Sequence, residues 1–505
     1  MPIRPPTADE LQDLGSELFL ELTDDESEFF REQIVESHED YETVRSYQPN
    51  PRLGGTEPRM RSAGTRPDDA DNPHQLWVSR CDVRGDDGGD LEGWDVAIKD
   101  NICVAGVEMT CGSHVIEGYV PDVDATVVSR LLEAGADVVG KTNMDDMALT
   151  RTGHSAFGTI TNPHDEDHLA GGSSGGSAVA VVEDEVDMAI GSDQGGSVRI
   201  PAALCGIVGH KPTHGLVPYT GCVGLEHMID HPGPMATDVE TVARTLSVIA
   251  GSNERDLRRP EPVPVEQYEE HLTGETSDLS IGVLEEGFGK PAGDPAVEDA
   301  VLDSLDLLEE RGATVDDVSV PLHADASALH SVCTNEGLVA ALSGQGVGHG
   351  WKAWYNVSWI ESFGKFRQAQ GDDFPAALKL SLLTGAYMAT EYHSRYYAAG
   401  MNLVVELAQQ YDEVLAEYDV LAMPTVDVTA PECDPDRTEF ERIEELEIPG
   451  NTSPFNRTGH PAVSVPAGDV DGLPVGCMFV GSRFDDATAL DAGYALEQAR
   501  NEQSN

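Results

Sequence analysis

Trp94-Asp-Val-Ala-Ile98, Ala125-Thr-Val-Val-Ser-Arg-Leu-Leu-Glu133 and Asp137-Val-Val-Gly140 read in succession as a strand, a helix stopped at Gly135, and a second strand. The same unit of helix, glycine and strand returns from Ala300 to Val320, with Gly312 as the stop. Further strands are expected at Leu279 to Val283, Val420 to Met423, Ala462 to Val465 and Val475 to Val480. Alternation of this kind predicts an α/β fold built on a central sheet. Residues 325 to 415 read as mostly helical and carry Trp351, Trp354, Tyr355, Trp359 and Phe363, aromatic residues that belong in a core before they belong in a pocket wall.

Outward from that core, residues 1–47 form a helical N-terminal segment. Thr7-Ala-Asp-Glu10 and Thr23-Asp-Asp-Glu26 are capping-box patterns, and Phe29, Phe30, Ile34 and Val35 follow the second at helical spacing. The segment is too small to be an independent domain and is expected to dock on the main body or on a second copy of the chain, which makes a homodimer the expected assembly. Residues 48–76 are rich in Pro, Gly, Arg and Asp without periodicity and read as a linker or an extended arm. Residues 77–500 show no internal boundary and are read as one domain.

Composition excludes several function classes. The net charge of −60, from 91 acidic against 31 basic residues, repels phosphate backbones, so no nucleic-acid partner is expected. Such a surface is either solvated acidity or adaptation to a salt-rich cytoplasm, where screening shortens repulsion to a few ångströms. No run of about 18 apolar residues suggests a membrane span. Met-Pro-Ile-Arg-Pro-Pro lacks the layout of a secretory signal, so a soluble cytoplasmic protein is expected. The eight cysteines contain no C-x-x-C pair and fit neither a disulfide framework nor a zinc site.

Between Lys99 and Thr213 lie two glycine-serine clusters, Gly171-Gly-Ser-Ser-Gly-Gly-Ser177 and Gly191-Ser-Asp-Gln-Gly-Gly-Ser-Val-Arg-Ile-Pro201. Apolar flanks distinguish them from a free linker, and neither has the Gly-Lys-Ser/Thr of a phosphate loop. Gly171-Gly-Ser-Ser-Gly175 matches the G-x-S-x-G elbow in form, but His164-Asp-Glu-Asp-His168 is not the buried strand that elbow requires. Ser362-Phe-Gly-Lys365 matches S-x-x-K without S-D-N or K-T-G downstream and is taken as chance.

With Val96-Ala-Ile-Lys-Asp-Asn101, Cys205-Gly-Ile-Val-Gly-His-Lys-Pro-Thr213, Asp230-His-Pro-Gly-Pro234 and Gly459-His-Pro-Ala-Val-Ser-Val-Pro466, these clusters resemble the amidase signature family over most of residues 77–495. His210 stands where Leu is usual, and Gln194 where Thr or Ile is common. The resemblance implies a central mixed, twisted β-sheet surrounded by helices. It implies Ser197 as nucleophile, Ser173 as relay after a cis peptide bond, and Lys99 as base. Asp193, Arg199 and Ser174 are implied as a supporting network. No cofactor or metal is expected.

These residue types suffice for the chemistry. A serine hydroxyl is a weak nucleophile until a base takes its proton. Lysine serves only when neutral, which burial without a carboxylate partner achieves. Lys99 ends an apolar strand, and Asp100 points to the opposite face. Ser173 can accept one hydrogen bond and donate another. Gln194, Gly195, Gly196 and Ser197 offer successive backbone N–H groups suited to an oxyanion hole. The sixteen histidines are read as structural or surface residues.

Tyr219 to Pro234, the acidic preface and Asn451-Thr-Ser-Pro-Phe-Asn456 resemble broad bacterial amidases acting on small-molecule amides, which implies hydrolysis of a carboxylic monoamide with release of ammonia. One alternative is the glutaminase component of a glutamyl-tRNA(Gln) or aspartyl-tRNA(Asn) amidotransferase. Members of that kind tend to carry an acidic residue near the place that Pro449 or Gly450 occupies here. The other alternative is a non-catalytic binding protein on the same fold.

Overall fold

The structure is a computed structural model that describes residues 3–47, 60–256, 258, 263, 265–349, 353–434, 436–446 and 450–503. The chain divides into two compact units, Met1–Arg52 and Leu53–Asn505. The first is a pair of helices, α1 (Ala8–Glu17) and α2 (Asp24–Ser46). Both expected capping boxes form. Thr7 Oγ1 accepts the Glu10 N–H while the Glu10 carboxylate accepts the Thr7 N–H, and Thr23 and Glu26 repeat the exchange. Each box satisfies N–H groups that a helix start otherwise leaves without partners.

The second unit is built on strands β1 (Met60–Arg61), β2 (Trp77–Arg84), β3 (Asp95–Lys99), β4 (Asp137–Thr142), β5 (Thr161–Asn162), β6 (Asp165–Leu169) and β7 (Met188–Asp193). They are followed by β8 (Val208–Lys211), β9 (His231–Ala236), β10 (Ser280–Leu284), β11 (Thr314–Val318), β12 (Val420–Pro424), β13 (Ala462–Val470) and β14 (Leu473–Gly481). Twelve of them form one mixed sheet in the order β1-β2-β4-β3-β7-β9-β8-β13-β14-β12-β10-β11, and β5 pairs with β6 alone. Helices cover the sheet, which makes the fold α/β as expected.

Strand β3 lies between β4 and β7, parallel to both. Central parallel strands are covered on both faces, and the sequence of β3 shows how. Val96 and Ile98 pack into the large core on one face, while Ala97 joins a second core under helix α4 (Gly175–Val182) on the other. Lys99 is two residues beyond Ala97 and so shares its face. Helix α3 (Thr126–Glu133) ends at Gly135, whose φ of +92° is the left-handed conformation that a glycine stop supplies.

The structure adds detail in three places. The arm at 48–76 is tied down over its described part: β1 pairs with the edge of β2, and Arg61 binds Asp124 at 2.7 Å and the Ala105 carbonyl at 2.6 Å. Residues 48–59 of that arm lie outside the described residues. Strand β9 is not legible in the sequence, because Pro232 and Pro234 argue against a central strand. The period of two places both missing N–H groups on one edge of β9, and the other edge keeps its donors. Trp359 and Phe363 are core residues, 5.3 Å apart ring to ring and packed with Tyr119; Trp351 lies outside the described residues.

Candidate active site

Lys99 closes β3, and Ser192 and Asp193 close its parallel neighbour β7. Both strands deliver their last side chains to the same end of the sheet, where α/β folds place their ligands. From β7 the chain turns through Gln194–Ser197 into helix α5 (Arg199–Cys205). The Gly171–Ser174 loop arrives there at the start of α4.

Lys99 is fully buried, and its Nζ lies 2.7 Å from Ser173 Oγ and 3.1 Å from the Ser192 carbonyl oxygen. Both partners are neutral. Burial pushes the Lys99 amine down to about 7, against the opposing pull of Asp145, Asp193 and Asp230. Asp100 turns to the other face, where it binds Lys141 at 3.0 Å and accepts both the N–H and the hydroxyl of Thr110.

Ser173 follows a cis Gly172–Ser173 peptide bond. The Ser174 N–H donates to the Ser197 carbonyl at 3.1 Å, which draws the second cluster against the first. Ser174 Oγ donates to the Ser192 carbonyl and accepts the Ser192 N–H, fastening the loop to the end of β7. Ser197 is 3% exposed, whereas Lys99 and Ser173 are sealed.

Asp193 organises the turn. Its carboxylate accepts the N–H groups of Gly196 and Val198 and two nitrogens of Arg199, all at 2.7–3.1 Å, as well as the Asn456 amide at 2.8 Å. Burial opposes this carboxylate, but Arg199 beside it prevails and holds the group far below the usual carboxylate range. Arg199 is itself fully buried and also reaches the Thr452 carbonyl and Asn456 Oδ1. One expectation is corrected here. The sequence offers Gly196 as an oxyanion donor, yet its N–H points back to Asp193 Oδ1, because a carboxylate sealed from water must find donors in its own loop. Gly196 instead supplies conformation: its φ is +126°, and a Cβ there would lie 2.2 Å from Thr452 Oγ1.

Sequence reasoning missed Asp145. Its carboxylate accepts the N–H groups of Thr152 and Gly153 and the Thr150 hydroxyl, and it rests against Gly172 so closely that a Cβ there would come within 2.1 Å. The signal available is a lone carboxylate inside Lys141-Thr-Asn-Met-Asp145, with nothing in the pattern to say that it faces Gly172. Asn456 and Thr452 stand in a recognisable motif that assigns them no role; Thr452 Oγ1 donates to the Gly195 carbonyl at 2.7 Å. His210 is structural, bonded to Asp486. His330 departs from the structural reading of the histidines and belongs to the cleft.

A cleft of about 760 Å³ opens beside the turn, lined by Leu149, Arg151, Phe288, His330, Thr334 and Pro454 among others. It adjoins Gly195, whose nearest neighbours across the gap are His330 and Arg151. Gly450 is on its wall; Pro449 lies outside the described residues. Among the described residues no helix is long and apolar enough to cross a membrane.

The chain is similar to known proteins over most of its length. The enantioselective amidase of Rhodococcus rhodochrous is 39% identical over 510 residues, covering 98% of this chain and 96% of its own. The GatA-type component of the glutamyl-tRNA(Gln) amidotransferase of Natronomonas pharaonis is 40% identical over 434 residues, covering 84% of this chain and 99% of its own. The crystal structure of the corresponding amidotransferase component from Thermotoga maritima superposes with a TM-score of 0.68 at 32% identity, covering 85% of this chain and 88% of that one. The Amidase family profile matches residues 77–490, and the chain belongs to the Amidase family, enzymes that hydrolyse amide C–N bonds.

Proposed function

We propose that this chain hydrolyses a carboxylic monoamide to a carboxylate and ammonia, with Ser197 as nucleophile. The observation that carries the reading is the 2.7 Å approach of Lys99 Nζ to Ser173 Oγ in a site where burial keeps the amine largely neutral above pH 7. Ser197 Oγ attacks the amide carbon while its proton passes to Ser173 Oγ and the Ser173 proton passes to Lys99 Nζ. The developing oxyanion is received by the N–H groups of Gln194, Gly195 and Ser197. Each well-placed donor contributes roughly 3 kcal/mol in the transition state. Collapse breaks the C–N bond, and the proton held by Lys99 returns through Ser173 to the leaving nitrogen. Water then attacks the Ser197 ester by the same relay, releasing the acid and restoring the serine.

The extent of the Rhodococcus match favours a stand-alone amidase, because it takes in 98% of the chain. The amidotransferase reading keeps a specific observation of its own, the 40% identity to the Natronomonas protein. Ammonia release measured on a panel of simple amides and on glutamine separates the two. Hydrolysis of simple amides by the chain alone supports the amidase. Glutaminase activity that appears only with partner proteins supports the amidotransferase. Ser197→Ala is expected to abolish turnover with the fold intact, and a fluorophosphonate should label Ser197 in the native protein. Failure of the folded wild-type chain to label would leave the non-catalytic alternative standing.

A further inference from the structure

Asp145 is a carboxylate in surroundings that disfavour one. Its side chain is sealed from solvent, where it accepts the Thr150 hydroxyl and the N–H groups of Thr152 at 3.0 Å and Gly153 at 2.9 Å. Among the described residues no cation forms an ion pair with it. The buried cations of the neighbouring elements are committed elsewhere, Lys141 to Asp100 and Arg199 to Asp193, each at 3.0 Å. Buried charges are ordinarily paired, so a sealed carboxylate bonded to neutral donors alone calls for a reason.

Its position supplies that reason. The Asp145 N–H donates to the Ser173 carbonyl at 3.4 Å, and a Cβ on Gly172 would lie 2.1–2.7 Å from the three atoms of the Asp145 carboxyl group. Asp145 thus backs the Gly172–Ser173 bond, and Ser173 Oγ is 2.7 Å from Lys99 Nζ. The titratable groups that face this amine are Asp145 first, then Asp193, Asp230 and Cys111. Asp193 is answered by Arg199 in direct contact. Burial pushes the Asp230 carboxyl up to about 7, with Arg258 facing it, and lifts the Cys111 thiol well above its usual range. Asp146, next in the chain, is pushed up to about 8 by the same cause. Burial raises the Asp145 carboxyl too, but Thr150, Gly153, His154 and Thr152 oppose it. Of the carboxylates around Lys99, Asp145 is the one whose charge has no cation of its own.

Resting on the Ser197–Ser173–Lys99 relay proposed above, we infer that Asp145 is a positioning residue, whose carboxylate holds the relay serine from behind and stabilises the ammonium that Lys99 becomes when it takes the Ser173 proton. The carboxylate itself takes no proton; the one gained by Lys99 returns through Ser173 to the leaving nitrogen. A fixed charge placed where charge develops needs no rearrangement at the moment of reaction. Separation matters as much as sign. A carboxylate in contact with Lys99 would keep the amine protonated at rest, whereas one held behind Gly172 leaves the amine neutral at rest and still favours its protonated form during the reaction.

The test is the rate at which a fluorophosphonate labels Ser197, followed from pH 5 to 9 at one fixed high salt concentration in the full chain and in Asp145→Asn. Removing the negative charge makes Lys99 a weaker base. The acid limb should therefore move to lower pH, by about one pH unit for a charge lost at this separation. The plateau should slow by about three-fold or more, the effect of a base weaker by one unit with its proton half transferred. The midpoint distinguishes charge from mere support, because loss of the contact with Gly172 slows labelling without moving it. A midpoint that stays or rises in a folded Asp145→Asn chain overturns the inference, as does a plateau at the wild-type rate. Asp145→Ser removes the same charge from a smaller side chain and decides the matter should Asp145→Asn not fold; melting temperature reports the fold of each. Wild-type labelling with an acid limb near pH 7 that neither variant shifts sinks this inference and leaves the relay intact. A folded wild-type chain that does not label sinks both.

Discussion

At pH 7 about half of the Lys99 side chains carry a free amine, against roughly one in three thousand for a lysine at its ordinary value of 10.5. Burial therefore raises the population of neutral amine, the form the proposed relay requires, by about three orders of magnitude at neutral pH. The sign of the pH dependence follows. In the proposed relay the neutral amine is the active form, so protonation on the acid side should remove activity, and the rate should fall as pH is lowered through about 7. With one proton involved, kcat/KM should drop to roughly a tenth of its plateau at pH 6 and a hundredth at pH 5. The assay is ammonia release from pH 5 to 9 at constant ionic strength, with melting temperature followed in parallel to exclude unfolding. Asp230 requires a control, because burial pushes its carboxyl up to about 7 as well. Asp230→Asn should keep the acid limb, with a midpoint at or below that of wild type, since a negative charge that favours the ammonium has gone. A profile flat to pH 5, a limb centred in the ordinary carboxylate range, or loss of the limb in Asp230→Asn would refute a neutral Lys99 as base.

Four further outcomes follow from the same geometry. Ser173→Ala should lower kcat severely while leaving the melting temperature near wild type, since the variant removes the bridge between nucleophile and base; kinetics at wild-type level would exclude the relay. Gly172→Ala forces a methyl group against Asp145 Oδ1 and should cost about 1–3 kcal/mol in denaturant unfolding, along with most of the activity. Arg199→Met leaves Asp193 buried without its cation and should destabilise the fold by about 3–5 kcal/mol, read as a lower melting temperature. Dialysis from molar salt to about 0.01 M lengthens the screening distance from roughly 3 Å to 30 Å. A chain of net charge −60 should then lose activity or fold, and full activity at low salt would remove the reading of halophilic adaptation.

The sequence by itself determined the α/β class, because strand and helix periodicities are local properties of Asp95–Lys99, Thr126–Glu133 and Asp137–Thr142. It also determined which side of β3 Lys99 occupies, since alternation along a strand separates Lys99 from Asp100 with no knowledge of neighbours. The two serine clusters were legible as motifs for the same reason: each is a continuous run. Tertiary structure alone decided what faces what. The approach of Asp145 to Gly172, the return of the Gly196 N–H to Asp193, the anchoring of the turn by Thr452 and Asn456, and the placement of Arg151 and His330 across from Gly195 all join residues far apart in the chain or turned by a single backbone angle. Strand β9 belongs with these, because its prolines speak against a strand locally and only pairing with β7 and β8 outweighs them. Hydrophobic period and backbone propensity are written in neighbouring residues, whereas hydrogen-bond complementarity and exclusion of water exist only once distant segments have met.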